Sequence, residues 1–301
     1  MFASRVLQRQ QASISTVAAV TVTGLIAYGL YSYSTKPADS ERGKPAMAFR
    51  GMGLTSLRLH SIQTLNHQTK LLRFEFPEPN TQSGLSLTSA VLTFSKPQGR
   101  VLPVIRPYTP VNNLDEPGYI ELAVKRYPNG KQSTHLHAMT PGDSLYFLGA
   151  IKGYPWTPNK HSHITLIAGG AGITPMYQLI RGILKNPEDK TKITLVFGVN
   201  SDQDILFQEN FAKYEKEFPN RFKAIYTVSN PAEGSPYPKG YVTKELLQKA
   251  MIDPGEKDSK VFVCGPPAME NAILGAKGSS GNTQAGILEQ LGYTKDQIHK
   301  F

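Results

Sequence analysis

The chain has 301 residues, 40% of them hydrophobic and 19% charged, enough to bury two cores and far from the composition of a disordered chain. Its single cysteine, Cys264, excludes an internal disulfide and any multi-cysteine zinc or iron–sulfur centre, so redox chemistry here needs an organic cofactor. The net charge of +10 is spread without dense Lys/Arg runs or aromatic interleaving, which argues against nucleic acid and for an acidic protein partner.

Residues 1–50 carry six basic and two acidic residues, yet no charge falls between Arg9 and Lys36. Residues 17–30 inside that gap are mostly apolar or small. About 20 such residues at ~1.5 Å each match a hydrocarbon core of roughly 30 Å. Residues 1–35 are therefore expected to be a targeting segment and single-pass transmembrane helix. Tyr28, Tyr31 and Tyr33 suit one membrane interface, and Arg5 and Arg9 give the other end the look of a mitochondrial targeting sequence. Cleavage after import is the alternative. Residues 36–50, with Lys36-Pro37 and Gly43-Lys44-Pro45, read as a linker.

Residues 51–158 read as a β-rich domain. Strand-like runs cover 55–62, 70–76, 89–94, 119–127 and 144–148, separated by turn signals such as Pro77-Glu78-Pro79-Asn80 and Pro141-Gly142-Asp143. This spacing predicts a small antiparallel barrel or sandwich. Inside it, Arg106-Pro107-Tyr108-Thr109 sets Arg106 and Tyr108 on one face of an extended segment. An arginine fork suits a pyrophosphate and a tyrosine ring suits an aromatic cofactor, although a barrel-edge strand with surface side chains accounts for the same residues. Further on, Lys125 and Tyr127 end a strand before Gly130-Lys131-Gln132-Ser133, a glycine turn opening a short helix. Its first amides and Ser133 would cradle a phosphate, unless Ser133 or Thr134 merely caps the helix.

Residues 159–301 alternate strands at 164–168, 193–197, 222–228 and 261–264 with helices at 175–184, 205–218 and 243–250, the pattern of a parallel sheet with crossover helices. The first strand runs into Gly169-Gly170-Ala171-Gly172-Ile173-Thr174-Pro175, where glycines permit close backbone approach, Thr174 would cap and Pro175 would open the helix. The spacing differs from the dinucleotide fingerprint G-x-G-x-x-G. Asp204 lies just past the second strand, placed either to accept from an adenosine ribose and repel a 2′-phosphate or to cap the helix that follows. The last strand ends in Cys264-Gly265-Pro266-Pro267, a small thiol and a glycine that let a flat ring approach; a buried bystander cysteine is the alternative. His135, His137, His161 and His163 have paired spacing, which packing and surface loops explain better than a metal.

Together and in this order, Arg106-Pro107-Tyr108-Thr109, Gly130-Lys131-Gln132-Ser133, the loop 169–175 and Cys264-Gly265-Pro266-Pro267 resemble the ferredoxin-reductase-like flavoproteins from about Gly51 to Phe301. Within them the chain is most similar to the fungal mitochondrial branch of the NADH-cytochrome b5 reductase family. The resemblance implies an antiparallel β-barrel FAD-binding domain joined to an α/β parallel-sheet nicotinamide-binding domain, with FAD and NADH meeting in the crevice. It implies that Arg106, Pro107, Tyr108 and Thr109 hold the flavin and its phosphates, that Lys125 and Tyr127 line the ring, and that Gly130, Lys131, Gln132 and Ser133 take the pyrophosphate. Gly169, Gly170, Gly172, Thr174 and Pro175 would build the loop facing the flavin, Asp204 would select NADH, and Cys264, Gly265 and Pro266 would flank the nicotinamide. Cys264, Thr174 and Lys125 are the groups expected to act on the reacting rings, with no metal. Ala171 stands where relatives usually carry Thr, and Gln132 where they usually carry Met, which bears on hydrogen bonding rather than on chemistry. Terminal Phe301 has aromatic counterparts near the crevice in some relatives, but is not counted with the site.

The implied activity is hydride transfer from NADH to FAD, then single-electron delivery to cytochrome b5 or a similar acidic haem protein. A monomer on the mitochondrial outer membrane is expected, with a processed intermembrane-space form if cleavage occurs. A reductase for another haem protein or a quinone is one rival reading. A non-catalytic, nucleotide-binding membrane scaffold is the other.

Overall fold

The computed structural model describes residues 45–49, 51–97, 102–251, 254–256, 258–277 and 283–301; the expected anchor at 1–35 and most of the linker lie outside them. Among the described residues no helix is long and apolar enough to cross a membrane.

The first domain is built on strand alternation. β1 (Met52–Asn66), β2 (Thr69–Glu75), β3 (Ala90–Ser95), β4 (Val104–Tyr108), β5 (Tyr119–Lys125) and β6 (Ser144–Ile151) form one antiparallel sheet in the order β4-β3-β6-β1-β2-β5. It curls until its edges meet: just past β4, the Val111 amide donates to the Glu121 carbonyl of β5 at 2.9 Å. Leu57, Leu59, Leu72, Phe74, Ile120, Leu122 and Phe147 point inward and are essentially inaccessible to solvent. Each contributes roughly 1.5–3 kcal/mol through burial. α1 (Lys131–Ala138) packs on this core through fully buried Leu136. Neither Ser133 nor Thr134 caps it. The cap position is Gly130, and Ser133 Oγ instead donates to the Gly130 carbonyl at 3.1 Å and accepts from the Tyr127 amide at 3.3 Å, tying the turn to the helix.

The second domain has a parallel sheet of β7 (His163–Gly169), β8 (Lys192–Val199), β9 (Phe222–Val228), β10 (Ser259–Cys264) and β13 (Ile298–Lys300), ordered β13-β10-β7-β8-β9. β11 (Gly275–Lys277) and β12 (Thr283–Ala285) pair separately. The helices are α2 (Ile173–Lys185), α3 (Gln208–Glu217), α4 (Lys244–Ala250), α5 (Pro267–Leu274) and α6 (Ile287–Gln290). β7 and β8 are buried along nearly their whole length, as a parallel sheet covered on both faces requires.

Three local expectations need correction. α2 starts at Ile173, so Pro175 sits in its third position, where the missing amide proton is still no loss; the Thr174 hydroxyl donates back to the Ala171 carbonyl at 3.1 Å and does not cap. The helix expected over 205–218 is broken: a 3-10 turn covers Asp202–Asp204, Ile205 is extended, and Phe207 has φ +59°. Leu206 is buried there, and the Phe207 ring stacks on Tyr177 with centroids 4.0 Å apart, which offsets the left-handed conformation at about 1–2 kcal/mol. α5 and β13 were not anticipated. The two prolines hid α5, although Pro267 occupies its first position, which a helix tolerates.

α2 also fixes the domains against each other. Gln178 Nε2 donates to the carbonyls of Ser89 (3.2 Å) and Pro110 (3.1 Å), and Arg181 donates to Val111 O. Val111 and Ala123 of the barrel belong to the same buried cluster as the apolar face of α2.

Candidate active site

A crevice of ≈ 360 Å³ on one side of α2 is lined by Asn112, Gln178 and Arg181, but the sequence motifs converge elsewhere. They meet in a larger crevice of ≈ 1080 Å³ between the domains. β4 brings Arg106, Pro107, Tyr108 and Thr109; the end of β5 and the turn into α1 bring Lys125, Tyr127, Gly130, Lys131, Gln132 and Ser133. From the other side, the loop after β7 brings Gly169, Gly172, Thr174 and Pro175, and the end of β10 brings Cys264, Gly265 and Pro266.

The walls suit a polyanionic, partly aromatic ligand. Arg106, Lys125, Lys131, Lys152 and Lys300 line the crevice, and among the described residues no Asp or Glu side chain does. A cleft of one charge sign concentrates ligands of the other. At the entry to α1 the backbone is tight enough that a Cβ on Gly130 would lie 2.4 Å from Ser133 Oγ. No side chain caps α1, so its first amides are available to phosphate oxygens. Burial pushes the Tyr108 hydroxyl well above its usual range, which Arg106 only partly offsets, so the ring stays neutral beside the cations. Burial pushes the Tyr127 hydroxyl above its usual range, and the Ala171 backbone across the domain boundary only partly opposes it.

Opposite, the glycine loop packs against the end of β10. A Cβ on Gly172 would come within 2.2 Å of the Cys264 carbonyl oxygen, so only glycine lets the two segments meet. Burial pushes the Cys264 thiol up to about 12, Glu270 adds to this and Lys300 opposes it. The group is thus a protonated, small and polarizable surface rather than a nucleophile. FAD and a nicotinamide fit these walls: Arg106, Lys131 and the α1 amides could hold phosphates, Tyr108 and Tyr127 could face a ring, and Cys264 could touch it from the second domain.

Two expected residues fall outside the crevice wall. Gly170 has φ +50° and open space where a Cβ would stand, so the loop conformation, not contact, requires glycine there. Asp204 is buried; its Oδ1 lies 2.9 Å from Lys125 Nζ, and its Oδ2 accepts from the Ser201 amide (3.2 Å) and hydroxyl (2.9 Å). Gln132 does reach the wall, but it is buried and its amide donates to Thr93 Oγ1 at 2.9 Å and accepts from Ser95 Oγ, binding α1 to β3. The paired histidines do not converge: His137 bonds to Val124 O, His161 to the Tyr154 hydroxyl and His163 to Thr194 Oγ1.

The wall also holds residues beyond the motifs, among them Lys152, His299, Lys300 and Phe301. β13 carries His299 and Lys300, and its pairing with β10 places Phe301, just past it, beside Cys264. The Phe301 amide donates to Val263 O at 3.1 Å and its ring lies nearly parallel to Phe262, with centroids 5.6 Å apart. Glu270 in α5 fastens this corner, pairing with Lys300 Nζ at 2.6 Å and accepting from the Gly265 amide at 3.2 Å.

Residues 56–155 match the oxidoreductase FAD-binding domain family, and residues 166–274 match the oxidoreductase NAD-binding domain family. NADH-cytochrome b5 reductase 2 of Emericella nidulans is 52% identical over 291 residues, covering 94% of this chain and 89% of its own. The protein of the same name from Pyricularia oryzae is 45% identical, covering 96% and 89% respectively. Among solved structures, the cytochrome b5 reductase domain of Ulva prolifera nitrate reductase gives a TM-score of 0.74 at 27% identity, over 86% of this chain and 100% of that one. The CS-b5R domains of human Ncb5or share the fold, with a TM-score of 0.69 at 22% identity over 83% of this chain and 70% of theirs. With four motifs gathered in one cationic crevice and relatives of this similarity along nearly the whole chain, this protein belongs to the NADH-cytochrome b5 reductase family and is an NADH-dependent flavoprotein oxidoreductase.

Proposed function

We propose that this enzyme passes the electrons of NADH one at a time to cytochrome b5, and that its N-terminal segment holds it at the mitochondrial outer membrane. The observation that carries the acceptor is charge. The exposed cations Arg106, Lys131, Lys152 and Lys300 surround the mouth of the crevice without an acidic side chain among its described lining residues. An acidic haem protein is drawn to such a rim, at a rate that falls as salt rises. The uncharged stretch between Arg9 and Lys36, with Arg5 and Arg9 before it, supports the location.

FAD, when bound, supplies the conversion of a two-electron donor into single-electron deliveries. The protein supplies alignment. Arg106, Lys131 and the α1 amides neutralise and orient phosphates, so that Tyr108 and Tyr127 face one side of the reacting plane. Cys264 and the tight Gly172 contact hold the other side, and the bonds of α2 to Ser89, Pro110 and Val111 keep the two walls in register and limit water.

Purified protein should be yellow and bleach anaerobically on addition of NADH, and should then reduce cytochrome b5 stoichiometrically at the haem absorbance bands. A colourless protein, or one that NADH does not bleach, refutes the placement of both cofactors. Bleaching with faster turnover on another haem protein or on a quinone would refute the acceptor alone.

A further inference from the structure

The barrel has two apolar outer faces, and among the described residues only one of them is covered. On β2 and β5, outward Leu71 and Ala123 pack with the core of the second domain, as does Leu65 at the end of β1. On β4, β3 and β6, register sets Ile105 opposite Phe94 and Phe94 opposite Tyr146, on the face away from inward Val91, Leu145 and Phe147. Leu92 and Leu148 extend that row by alternation, and Met52 opens β1 beside it. A sheet face turned to water should be polar while its inner face is apolar. Here both are apolar. Met52 is 69% exposed, Tyr146 45% and Ile105 41%, and none of the six side chains belongs to a buried cluster among the described residues. None of them lines the cofactor crevice either.

The way the chain reaches this face points to what covers it. The Ala46 carbonyl accepts from the Gln82 amide at 2.8 Å, and the Phe49 amide donates to Ser83 O at 3.0 Å, so the chain is already fastened to the barrel before Met52. Only residues 36–45 separate that fastening from the uncharged stretch after Arg9. Ten residues span at most about 35 Å. Lys96 follows Phe94 in the same outward alternation, and exposed Arg106 and Lys152 stand toward the crevice edge. An apolar surface with cations at its border is the chemistry of a protein face that seats in anionic headgroups.

We propose that the outer face of β4, β3, β6 and the start of β1 lies against the bilayer, with Phe94, Ile105, Tyr146 and Met52 entering the headgroup boundary and Lys96 meeting anionic lipid. β4 also carries Arg106 and Pro107 of the crevice wall, so this contact sets the height and tilt at which the cofactor crevice faces an acceptor on the same membrane. The placement rests on the membrane attachment proposed above.

The test uses the full chain with FAD, reconstituted into vesicles of phosphatidylcholine with phosphatidylserine or cardiolipin, and a bimane label at Tyr146→Cys or, as control, at Lys216→Cys on α3. Labelled wild type gives the blank for Cys264. Acyl-chain-brominated lipid should quench the Tyr146 position about threefold more than the control, since such faces seat roughly 5–10 Å into the boundary. Adding Phe94→Glu should abolish that difference, with NADH–ferricyanide turnover unchanged. Co-flotation with equal, weak quenching at both positions overturns the face while leaving the attachment standing. Failure to co-float overturns both. Protection of the Tyr146 label that appears without vesicles and grows with protein concentration assigns the face to a second copy and overturns the lipid contact.

Discussion

Lys125 Nζ and Asp204 Oδ1 lie 2.9 Å apart across the domain boundary, their side chains 10% and 5% exposed. Lys125 ends a barrel strand and Asp204 sits in the 3-10 turn after β8, so a buried ion pair bolts the FAD-binding half to the NAD-binding half at the edge of the crevice. Burial alone would raise the Asp204 carboxyl; the hydrogen bonds from Lys125 and Ser201 outweigh it and hold the group below the usual carboxylate range. Removing one partner strands the other charge. Lys125→Met or Asp204→Leu should each cost about 3 kcal/mol in urea unfolding, and the double variant should recover most of it. Singles that cost no more than an exposed surface pair, and that simply add in the double, would show that the pair is not a buried bolt.

The same carboxylate carries the expected preference for NADH. Asp204→Ala should lower the ratio of kcat/KM for NADH over NADPH about tenfold, equivalent to ~1.4 kcal/mol of discrimination. Lys125→Met keeps the acid and should keep the sign of the preference. If the ratio in Asp204→Ala equals that of the unaltered enzyme, Asp204 serves only the interdomain pair.

Cys264 is expected to act by shape. With its thiol raised to about 12, it is uncharged throughout the working range and should resist iodoacetamide at pH 8 in the folded protein. Cys264→Ser should keep FAD but slow flavin reduction in stopped flow about tenfold, because a 1 Å displacement of the reacting carbon is expensive at near-attack distance. Reduction at the original rate would remove Cys264 from the contact surface.

The architecture was readable where local chemistry and global fold agree. Alternating runs such as Leu57 and Leu59, or Leu72 and Phe74, pointed to an antiparallel barrel or sandwich without deciding between them; the buried run Ile164–Ala168 followed by glycines pointed to the parallel sheet with its crevice loop. What was hidden depends on distant partners. Asp204 reads as a ribose ligand or a cap, and nothing near it in sequence announces Lys125, 79 positions earlier. The break at Phe207 follows from its stack on Tyr177, and β13 is three residues whose only signal is their pairing with β10. Thr174 misled because its neighbours suit a cap while its hydroxyl turns back to Ala171.

Acid should weaken the second domain before carboxylates titrate. Burial, aided by Lys192, pushes the His163 imidazole down to about 4, with Nε2 held at 2.9 Å from Thr194 Oγ1. Above an unfolded pKa of about 6.5 the ring is neutral in both states and pH has no leverage through it. Between there and 4 the unfolded chain takes up a proton that the folded one refuses, so stability falls across that window. The urea midpoint should drop from pH 7 to pH 5, and His163→Gln should flatten the dependence. An equal slope in the variant would place the acid sensitivity elsewhere.

Glu270 is the residue on which the corner beside Cys264 depends. One carboxylate oxygen pairs with Lys300 Nζ at 2.6 Å and the other accepts from the Gly265 amide at 3.2 Å, tying the β10 turn to β13 just before Phe301. Glu270 is mostly buried, whereas Lys300 is 55% exposed, so screening limits the pair to about 1 kcal/mol. Glu270→Gln keeps an acceptor for Gly265 and removes only the charge. The Phe301 amide, bonded to Val263 O, should then exchange its hydrogen about fivefold faster, as the loss of ~1 kcal/mol of local protection requires. Lys300→Met should do the same, and both should slow flavin reduction while leaving bound FAD unchanged. Normal exchange at Phe301 in both variants would mean that stacking on Phe262 alone holds the terminus, and that the ion pair contributes nothing to the shape of the crevice.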